Sequence, residues 1–390
     1  MYVKKLQAKN FRNILEQEIN FQRGINVFYG KNASGKTNAL EAIYLFASGK
    51  SLRGSFEKDF INKNSDSAKI AIEYVTDTSF QNARNMSLTF LGNNRKIMKY
   101  GYSDIPKMSE FLGHFRACVF TPDDLSLVKA GPEERRRFAD ISISQISPKF
   151  VHCLNDYHKI LAQKNAVLKN AQLTGKLDKQ LFEILNFQLC TAAAVIVKQR
   201  AGLFEKLSEY ASEIYRNISD DREFFGMKYI SQTKKEYQDE NYTKKAYHDL
   251  LNKNQERELK YGVSLIGPHK DDVYFYVGKG NEIKESDETT DELTFGNGFS
   301  AKAFGSRGQQ RSVVLSLKLS QGELFRELCG EYPVFLLDDV FSELDSGRRN
   351  YILSDIDKKQ IIITCCDCDI FGNFKNYNRI FVEEGTYGEG

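Results

Sequence analysis

The chain of 390 residues is 41% hydrophobic, which is enough apolar material for the cores of about two or three domains. Its charged residues nearly cancel to a net charge of +3, which excludes a binding mode that depends on a strongly charged chain. A nucleic-acid partner would therefore have to meet a local patch. The N-terminus lacks the apolar segment of a secretion signal, and no run approaches about eighteen uninterrupted apolar residues, so we expect a cytoplasmic protein without membrane contact.

The first pattern with a chemical meaning is GKNASGKT at residues 30–37, which fits G-x-x-x-x-G-K-[ST]. The run GINVFYG before it predicts a strand, and TNALEAIYLFAS after the glycines repeats apolar positions at helical spacing. In that context the backbone N–H groups of the loop converge on a phosphate. We therefore predict that a nucleoside triphosphate is bound by Gly30, Lys31, Asn32, Ala33, Ser34, Gly35, Lys36 and Thr37.

Two side chains of this loop have individual predicted roles. Lys36 is expected to neutralise the β- and γ-phosphate oxygens, and we count it among the catalytic residues. The hydroxyl of Thr37 is expected to ligate Mg²⁺. ATP and Mg²⁺ are therefore the predicted cofactors.

The predicted type of secondary structure changes twice along the chain. Short strands are predicted at 3–11, 68–75, 86–91 and 95–101, whereas 148–260 carries long helical patterns. The stretch from 179 to 217 would form a helix on the order of 55 Å long, which favours a projecting arm. β-type sequence returns at 261–268, and the polar stretch 278–298 predicts a hairpin tip or loop. We divide the chain into a head half at 1–120, an arm at 121–260 and a second head half at 261–390.

The second half of the site is predicted in the last of these segments. YPVFLLDDV, residues 332–340, is an apolar strand that ends in two carboxylates. In phosphate-loop ATPases the first carboxylate holds Mg²⁺ and the next can polarise the attacking water, so Asp338 is assigned to the metal and Asp339 to catalysis. FSELD follows directly, at residues 341–345.

A second phosphate-binding helix end is predicted at FGSRGQQRSVVLSLKLS, residues 304–320. Ser306, Gly308 and Gln309 precede a helical apolar pattern, and such an end could clamp the γ-phosphate from the far side. Ser306 and Gln309 are accordingly assigned to catalysis, and Ser306 and Gly308 to nucleotide binding. The alternative is an ordinary helix whose first turn is capped by Ser306.

The order of loop, helix end, strand carboxylates and SELD is that of ABC-type ATPase heads. The predicted fold class is therefore α/β: an ABC-type P-loop ATPase head with an inserted helical arm domain. More than two hundred residues separate the loop from the helix end, and Thr364 and Cys365 stand where a transporter ATPase usually has histidine. Both features disfavour a transporter subunit. A structural DNA clamp of SMC or RecN type stays an alternative, disfavoured by the short arm.

Ordered blocks across nearly the whole chain resemble the RecF family of bacterial DNA replication and repair ATPases. The blocks are KNFRN at 9–13, ASGKSLRG at 47–54, TPDDLSLVKAGPEERRRFADISISQISP at 121–148, LIGPHKDD at 265–272 and GSRGQQR at 305–311. The resemblance places Arg53 in a loop near nucleotide and DNA, so it joins the predicted nucleotide-binding residues. Ala33 stands where the family usually has glycine, which matters only if the backbone there needs a positive φ.

The resemblance also implies an activity and partners. It implies a homodimer formed on ATP binding, weak DNA-stimulated ATP hydrolysis, and sequence-independent binding to double-stranded and gapped DNA. It further implies RecR and RecO as partners in the loading of RecA onto single-stranded DNA. The residues alone lead no further than a dimerising ABC-type ATPase with an arm.

A basic segment is the candidate DNA contact. Residues 129–200 contain twelve Lys and Arg against six Asp and Glu, and Arg135, Arg136 and Arg137 form the densest cluster. We predict that these three arginines contact DNA phosphates without reading bases. The alternative is a solvated helix face whose arginines pair with Glu133, Glu134 or Asp140.

Seven cysteines are scattered through the chain, as expected for reduced thiols in a cytosol. Cys365, Cys366 and Cys368 lie close together, and the first and last form a C-x-x-C pair. No second pair accompanies it, so structural thiols are favoured over a zinc site.

Overall fold

A computed structural model describes residues 1–78, 82–93, 95–233, 239–280, 298–341, 344–353, 358–367 and 377–389. The chain divides into two compact units. Residues 1–124 and 315–390 form the first, here called the split unit, and residues 125–314 form the second, here called the inserted unit. The arrangement of a head interrupted by an inserted segment was predicted from the sequence.

The split unit contains most of the strands. Its elements are β1 (Tyr2–Phe11), β2 (Ile14–Asn20), β3 (Ile25–Tyr29), α1 (Lys36–Ser48), β4 (Ser67–Val75), β5 (Arg84–Leu91), β6 (Arg95–Tyr100), β7 (Ser103–Ile105), α2 (Met108–Phe111), β8 (Ala117–Phe120), β12 (Val334–Asp338), α10 (Ser346–Ile352), β13 (Gln360–Cys365), β14 (Tyr377–Glu383) and β15 (Thr386–Glu389).

The inserted unit is mainly helical. Its elements are α3 (Ser126–Lys129), α4 (Pro132–Ser144), α5 (Pro148–Thr174), α6 (Lys179–Ile218), β9 (Glu223–Ile230), α7 (Glu240–Tyr261), β10 (Asp272–Lys279), β11 (Phe299–Ser300), α8 (Ala301–Phe304) and the start of α9 (Arg307–Cys329), which continues into the split unit.

A six-stranded sheet with the order β15-β14-β3-β13-β12-β8 positions the nucleotide site. All of its neighbouring strands are parallel except the hairpin β14–β15. The central strands β3, β12 and β13 are almost wholly buried, as expected for parallel strands covered on both faces. Their carboxyl ends meet at one edge, where the phosphate loop follows β3 and Asp338 ends β12.

Helix α1 starts directly after the glycine loop, and all of its thirteen residues except Thr37 are buried. Apolar residues lie on all sides of this helix, as expected for a helix in the interior of the unit. Glu41 is a buried charge on this helix, and it accepts hydrogen bonds from Arg12 at 3.0 Å and from the Ser51 hydroxyl at 2.6 Å. A fully buried carboxylate requires such partners, so these contacts tie the segments that carry Arg12 and Ser51 to α1.

The second sheet of the split unit is antiparallel, with the order β2-β1-β4-β5-β6-β7. Burial alternates along β5, as expected where one face packs on a core. Strand β2 was not among the predicted strands. Its two buried apolar residues, Ile14 and Ile19, do not alternate with a period of two, and Leu15 is 64% exposed.

Helices α5, α6 and α7 pack against one another in the inserted unit. Gly175 ends α5 at φ 70°, and the Asp178 side chain caps α6 by accepting from the Leu181 N–H, so residues 175–178 separate the two helices. Helix α6 is long and apolar enough to span a membrane by length and composition. More than half of its apolar window, 56%, is buried within the protein, which is typical of a core helix.

The structure draws the second boundary of the insertion at 314/315 instead of 260/261. The reason is β9, a strand inside the stretch predicted to be helical, which pairs antiparallel with β10 along its whole length. This pairing retains β10 in the inserted unit. The β-type prediction for 261–268 is wrong, because α7 extends to Tyr261 and the next strand begins at Asp272. Of the polar stretch 278–298, residues 281–297 lie outside the described residues.

Candidate functional site

Two glycines in conformations that favour glycine give the phosphate loop its shape. Gly30 has φ 150°, and a Cβ there would lie 2.2 Å from the carbonyl oxygen of Val382. Gly35 has φ 116° at the N-cap of α1. Both conformations favour glycine, and at Gly30 the close approach of β14 excludes any side chain. The invariant positions of the motif are therefore required by the backbone of this chain.

Ala33 also adopts a left-handed conformation, with φ 63°. This is the condition under which the departure from the family's glycine matters, since a residue with a Cβ pays about 1 kcal/mol for the left-handed region. The loop thus carries a small strain at a position between its two glycines.

Lys36 and Thr37 are held at the start of α1. The Lys36 ammonium donates hydrogen bonds to the carbonyl oxygens of Gly30 and, at 2.8 Å, of Lys31, so it lies across the loop that it is predicted to serve. Thr37 Oγ1 donates to Asp338 Oδ1 at 2.8 Å. The structure therefore brings together the two residues predicted to hold Mg²⁺.

Asp338 and Asp339 differ in their surroundings. Asp338 accepts from the hydroxyls of Thr37 and Thr364, each at 2.8 Å, whereas Asp339 is exposed and has φ 53°. Burial raises the pKa of Asp338, and the two hydroxyls together with the charge of Arg53 oppose that shift. A cation next to Asp338 would remove the cost of burying its charge.

The oxygens at this edge fit Mg²⁺. Mg²⁺ bound with a nucleotide takes one or two protein oxygens and fills its other positions with phosphate and water. Thr37 and Asp338 supply a hydroxyl and a carboxylate of that kind. Among the described residues, no group of three or more His, Cys, Asp or Glu forms a separate metal cage.

Arg53 lies close enough to Asp338 for its charge to lower the pKa of that carboxyl. Its guanidinium is exposed, and its backbone N–H donates to the Ser51 hydroxyl at 3.1 Å. Ser51 in turn donates to the buried Glu41. The segment that carries Arg53 is therefore fixed to α1 while the guanidinium stays open to solvent, an arrangement that suits contact with a ligand.

Ser306 and Gln309 form a reciprocal cap at the start of α9. The Ser306 N–H donates to Gln309 Oε1 at 2.8 Å, and the Gln309 N–H donates to Ser306 Oγ at 3.2 Å, which is the capping box. Gln309 Nε2 donates to Glu223 Oε1 at 2.8 Å, so both ends of this amide are engaged. Gln309 therefore has a structural role in this helix cap, and its catalytic role stays a prediction.

Ser306 and Gly308 are exposed at this helix end. They belong to the inserted unit, whereas the phosphate loop and both carboxylates belong to the split unit. The split unit therefore contains Lys36, Thr37, Asp338 and Asp339. The second predicted phosphate-binding helix end lies in the inserted unit.

Three residues that support the loop escaped the sequence analysis. Asn13 Nδ2 donates to the Ser34 carbonyl at 3.2 Å, the Gly385 N–H donates to the same oxygen at 2.7 Å, and the Tyr387 hydroxyl donates to the Gly35 carbonyl at 2.7 Å. Asn13 lies in the KNFRN block, which offered a signal. Gly385 and Tyr387 lie in the β14–β15 hairpin, more than three hundred residues from the loop, and no local pattern marks them.

Comparisons with known proteins agree with this geometry. The family model for the RecF/RecN/SMC N terminal domain matches residues 2–388. The DNA replication and repair protein RecF of Staphylococcus aureus strain JH9 is 36% identical over 384 residues, which cover 97% of this chain and 98% of that protein. This chain belongs to the RecF family. It is therefore an ABC-type ATPase of DNA replication and repair, as the sequence predicted.

Solved structures support the same assignment. The recombination mediator protein RecF-ATPrS in the RecFOR pathway has a TM-score of 0.88 at 31% identity, over 100% of this chain and 98% of that one. The RecF-ATP structure of that pathway also has a TM-score of 0.88 at 31% identity, over 100% and 97%. A Pyrococcus furiosus Smc head domain has a TM-score of 0.54 at 16% identity, over 99% and 95%, and shows the shared fold alone.

The arginine cluster is not a free basic surface in this RecF-family chain. Arg135 is 4% exposed, and its guanidinium donates to both carboxylate oxygens of Asp272, at 2.7 and 3.1 Å. Arg136 is half-buried and donates to the Asp271 carbonyl at 2.7 Å, and Arg137 is half-buried as well. The DNA prediction for Arg135 is corrected: a buried bidentate ion pair leaves no donor that a phosphate could reach.

Two further motifs lie partly outside the described residues. Ser342 and Glu343 of the SELD motif and Cys368 of the cysteine group lie outside the described residues. Cys365 is buried, and the exposed Cys366 donates to Asn32 Oδ1 of the phosphate loop at 2.9 Å.

Tyr387→Phe should weaken ATP binding by about two- to ten-fold, because it removes one hydrogen bond to the loop and leaves the Gly35 carbonyl without that donor. Equilibrium titration with a fluorescent ATP analogue measures the change. Tyr102→Phe is the matched control, since that side chain is fully exposed. Equal affinities for the two variants would show that the hairpin does not support the loop.

Arg135→Met should lower the free energy of unfolding by about 3 kcal/mol, because it leaves Asp272 without its buried partner. Denaturant titration measures the loss. Lys129→Met, at an exposed position just before α4, should stay within about 0.5 kcal/mol of the parent. If Arg135→Met were as stable as the control and bound DNA less tightly, the structural role given to Arg135 would be wrong.

Proposed function

We propose that this chain uses ATP as a dimer switch, with each nucleotide held between two copies. The observation that carries this proposal is the exposed capping box at the start of α9. Ser306 Oγ accepts a hydrogen bond from the Gln309 N–H through a lone pair, so the hydroxyl proton of Ser306 can still be donated. A hydroxyl and a helix N-terminus open to solvent suit the γ-phosphate bound by a second copy.

In this proposal the site residues have separate chemical tasks. Lys36 balances the charge of the β- and γ-phosphates, and Thr37 and Asp338 hold Mg²⁺. Asp339 accepts a proton from the attacking water. Ser306 and Gly308 of the partner copy stabilise the charge that develops on the γ-phosphate. Arg53 is placed beside the nucleotide, where its exposed guanidinium meets phosphate or DNA.

The biological role that we propose is recombinational repair in the cytoplasm. The dimer binds double-stranded and gapped DNA through phosphates, hydrolyses ATP slowly under stimulation by DNA, and acts with RecR and RecO to promote RecA loading. The support is the shared family, whose members are named DNA replication and repair protein RecF, and the similarity to RecF of the RecFOR pathway. Arg135 is left out of the proposed DNA surface because it is buried.

Lys36→Ala should weaken ATP binding by about 10- to 100-fold and abolish ATP-dependent dimerisation, because the charge facing the β- and γ-phosphates is lost. Asp339→Asn should still bind ATP and should accumulate a long-lived dimer, because the change affects only the activation of water. Nucleotide titration and light scattering measure both effects. Lys63→Ala, at an exposed lysine, is the control. Parental hydrolysis by Asp339→Asn would contradict the role of that carboxylate.

Mixing two inactive variants tests whether the site is shared. Lys36→Ala and Ser306→Arg should each abolish turnover in homodimers. In a mixed dimer both defects fall in one composite site and the other site is intact. Random mixing of equal amounts makes about half of the dimers mixed, so activity should return to roughly a quarter of the parental level if the sites act independently. Mixed-dimer formation is recorded by crosslinking of differently tagged chains. Formation of that dimer without any return of hydrolysis, at sites otherwise shown to be independent, would contradict the shared site.

DNA binding should be electrostatic and independent of sequence. With ATP present, two duplexes of unrelated sequence should bind equally, and the affinity should fall with salt at a slope of about 0.9 per phosphate contact. Fluorescence anisotropy across a salt series measures both. A strong preference for one sequence, or an affinity that ignores salt, would contradict phosphate recognition.

A further inference from the structure

We infer that Thr364 is a positioning residue that fixes both carboxylate residues of the ATP site. Its hydroxyl oxygen donates to Asp338 Oδ1 at 2.8 Å and accepts the backbone N–H of Asp339 at 2.9 Å. Thr364 lies in β13, opposite Asp338 in the parallel pairing with β12, and is 1% exposed. This inference rests on the proposed roles of Asp338 and Asp339.

The chemistry of a hydroxyl suits the two tasks. A threonine oxygen has one proton to give and two lone pairs to accept with, so it can meet a carboxylate and an N–H at the same time. Thr37 and Thr364 both donate to Oδ1 of Asp338, whereas Oδ2 receives no hydrogen bond from the part of the chain that the structure describes. The two hydroxyls thus fix the rotamer of Asp338 through one oxygen.

Thr364 and Thr37 differ in their other tasks. Thr37 is proposed to ligate Mg²⁺ through an oxygen lone pair, while its proton is donated to Asp338. Thr364 lies in β13, outside the phosphate loop, so its hydrogen bond to Asp338 does not depend on bound nucleotide.

The contact with Asp339 has a separate effect. Asp339 has φ 53°, a left-handed conformation that is unfavourable for a residue with a side chain. Its backbone N–H is held by the Thr364 oxygen, which stabilises the turn that directs the Asp339 side chain to solvent. One buried hydroxyl therefore sets the direction of the metal-binding and the water-activating carboxylate together.

Thr364→Val tests this role because valine has nearly the same shape and no hydroxyl. Binding of a fluorescent ATP analogue is titrated with Mg²⁺ and, separately, in EDTA. We expect the Mg²⁺ concentration for half-maximal binding to rise roughly ten-fold and hydrolysis to fall by a similar factor, while affinity in EDTA is unchanged because the loop is untouched. Thr364→Ser keeps the hydroxyl and should stay within about three-fold of the parent in every measurement.

The ratio of the affinities with Mg²⁺ and in EDTA is measured on one preparation, so partial unfolding of a variant lowers both and leaves the ratio unchanged. Thr364→Ala, measured in the same way, serves if the valine variant does not fold. Parental Mg²⁺ dependence in a variant without the hydroxyl would overturn the inference.

Asp338→Asn separates this inference from the proposed function. If that variant loses Mg²⁺ dependence while Thr364→Val keeps it, the role of Thr364 is wrong and the metal assignment stands. If neither change alters the Mg²⁺ dependence, the metal assignment itself fails.

Discussion

The proposed nucleotide site depends on the hydrogen bond between Thr37 and Asp338, which joins residues 301 positions apart in the chain. Thr37 is the second residue of α1, and Asp338 is the last residue of β12. They meet because β13 lies between β3 and β12 in a parallel sheet, so both strands end at the same edge. The long insertion at 125–314 leaves this contact intact as long as the strand order is retained.

A second constraint acts from behind the loop. The β14–β15 hairpin approaches so closely that the carbonyl of Val382 would collide with any Cβ at Gly30, and Gly385 and Tyr387 donate to the carbonyls of Ser34 and Gly35. Loop carbonyls that are held in this way keep their N–H groups directed to the opposite side, where a phosphate would bind. Conformations that cost free energy, such as φ 63° at Ala33, persist because the surroundings fix them.

Features with a local signal could be predicted from the sequence. The strand, loop and helix around Gly30, the strand ending at Asp338 and the two long helices α5 and α6 follow from apolar periodicity within a short window. Features that depend on distant pairing could not. The sequence around β9 is predicted to be helical, but it forms a strand because it pairs with β10. This pairing places the domain boundary after β10 instead of before it.

Arg135 shows the same limit at the level of a single side chain. The sequence predicted a DNA contact, with pairing to Glu133, Glu134 or Asp140 as the alternative. The partner of Arg135 is instead Asp272, 137 residues away, and Asp140 pairs with Arg200. A count of basic residues in the sequence does not tell which of them the fold will bury. Burial of the ion pair, which no local pattern reports, decides between a structural arginine and a DNA contact.

At the start of α9, a role in the helix cap is compatible with the phosphate contact that we propose for Ser306. Ser306 and Gln309 satisfy the first turn of a 23-residue helix, which is sufficient reason for a serine and a glutamine three residues apart. The same hydrogen bonds fix the rotamer of Ser306, and they use its oxygen only as an acceptor. The Ser306 hydroxyl keeps its proton for donation and lies at the positive end of the helix dipole. Because its direction is fixed, it would lose less conformational entropy on binding a phosphate than a mobile serine would.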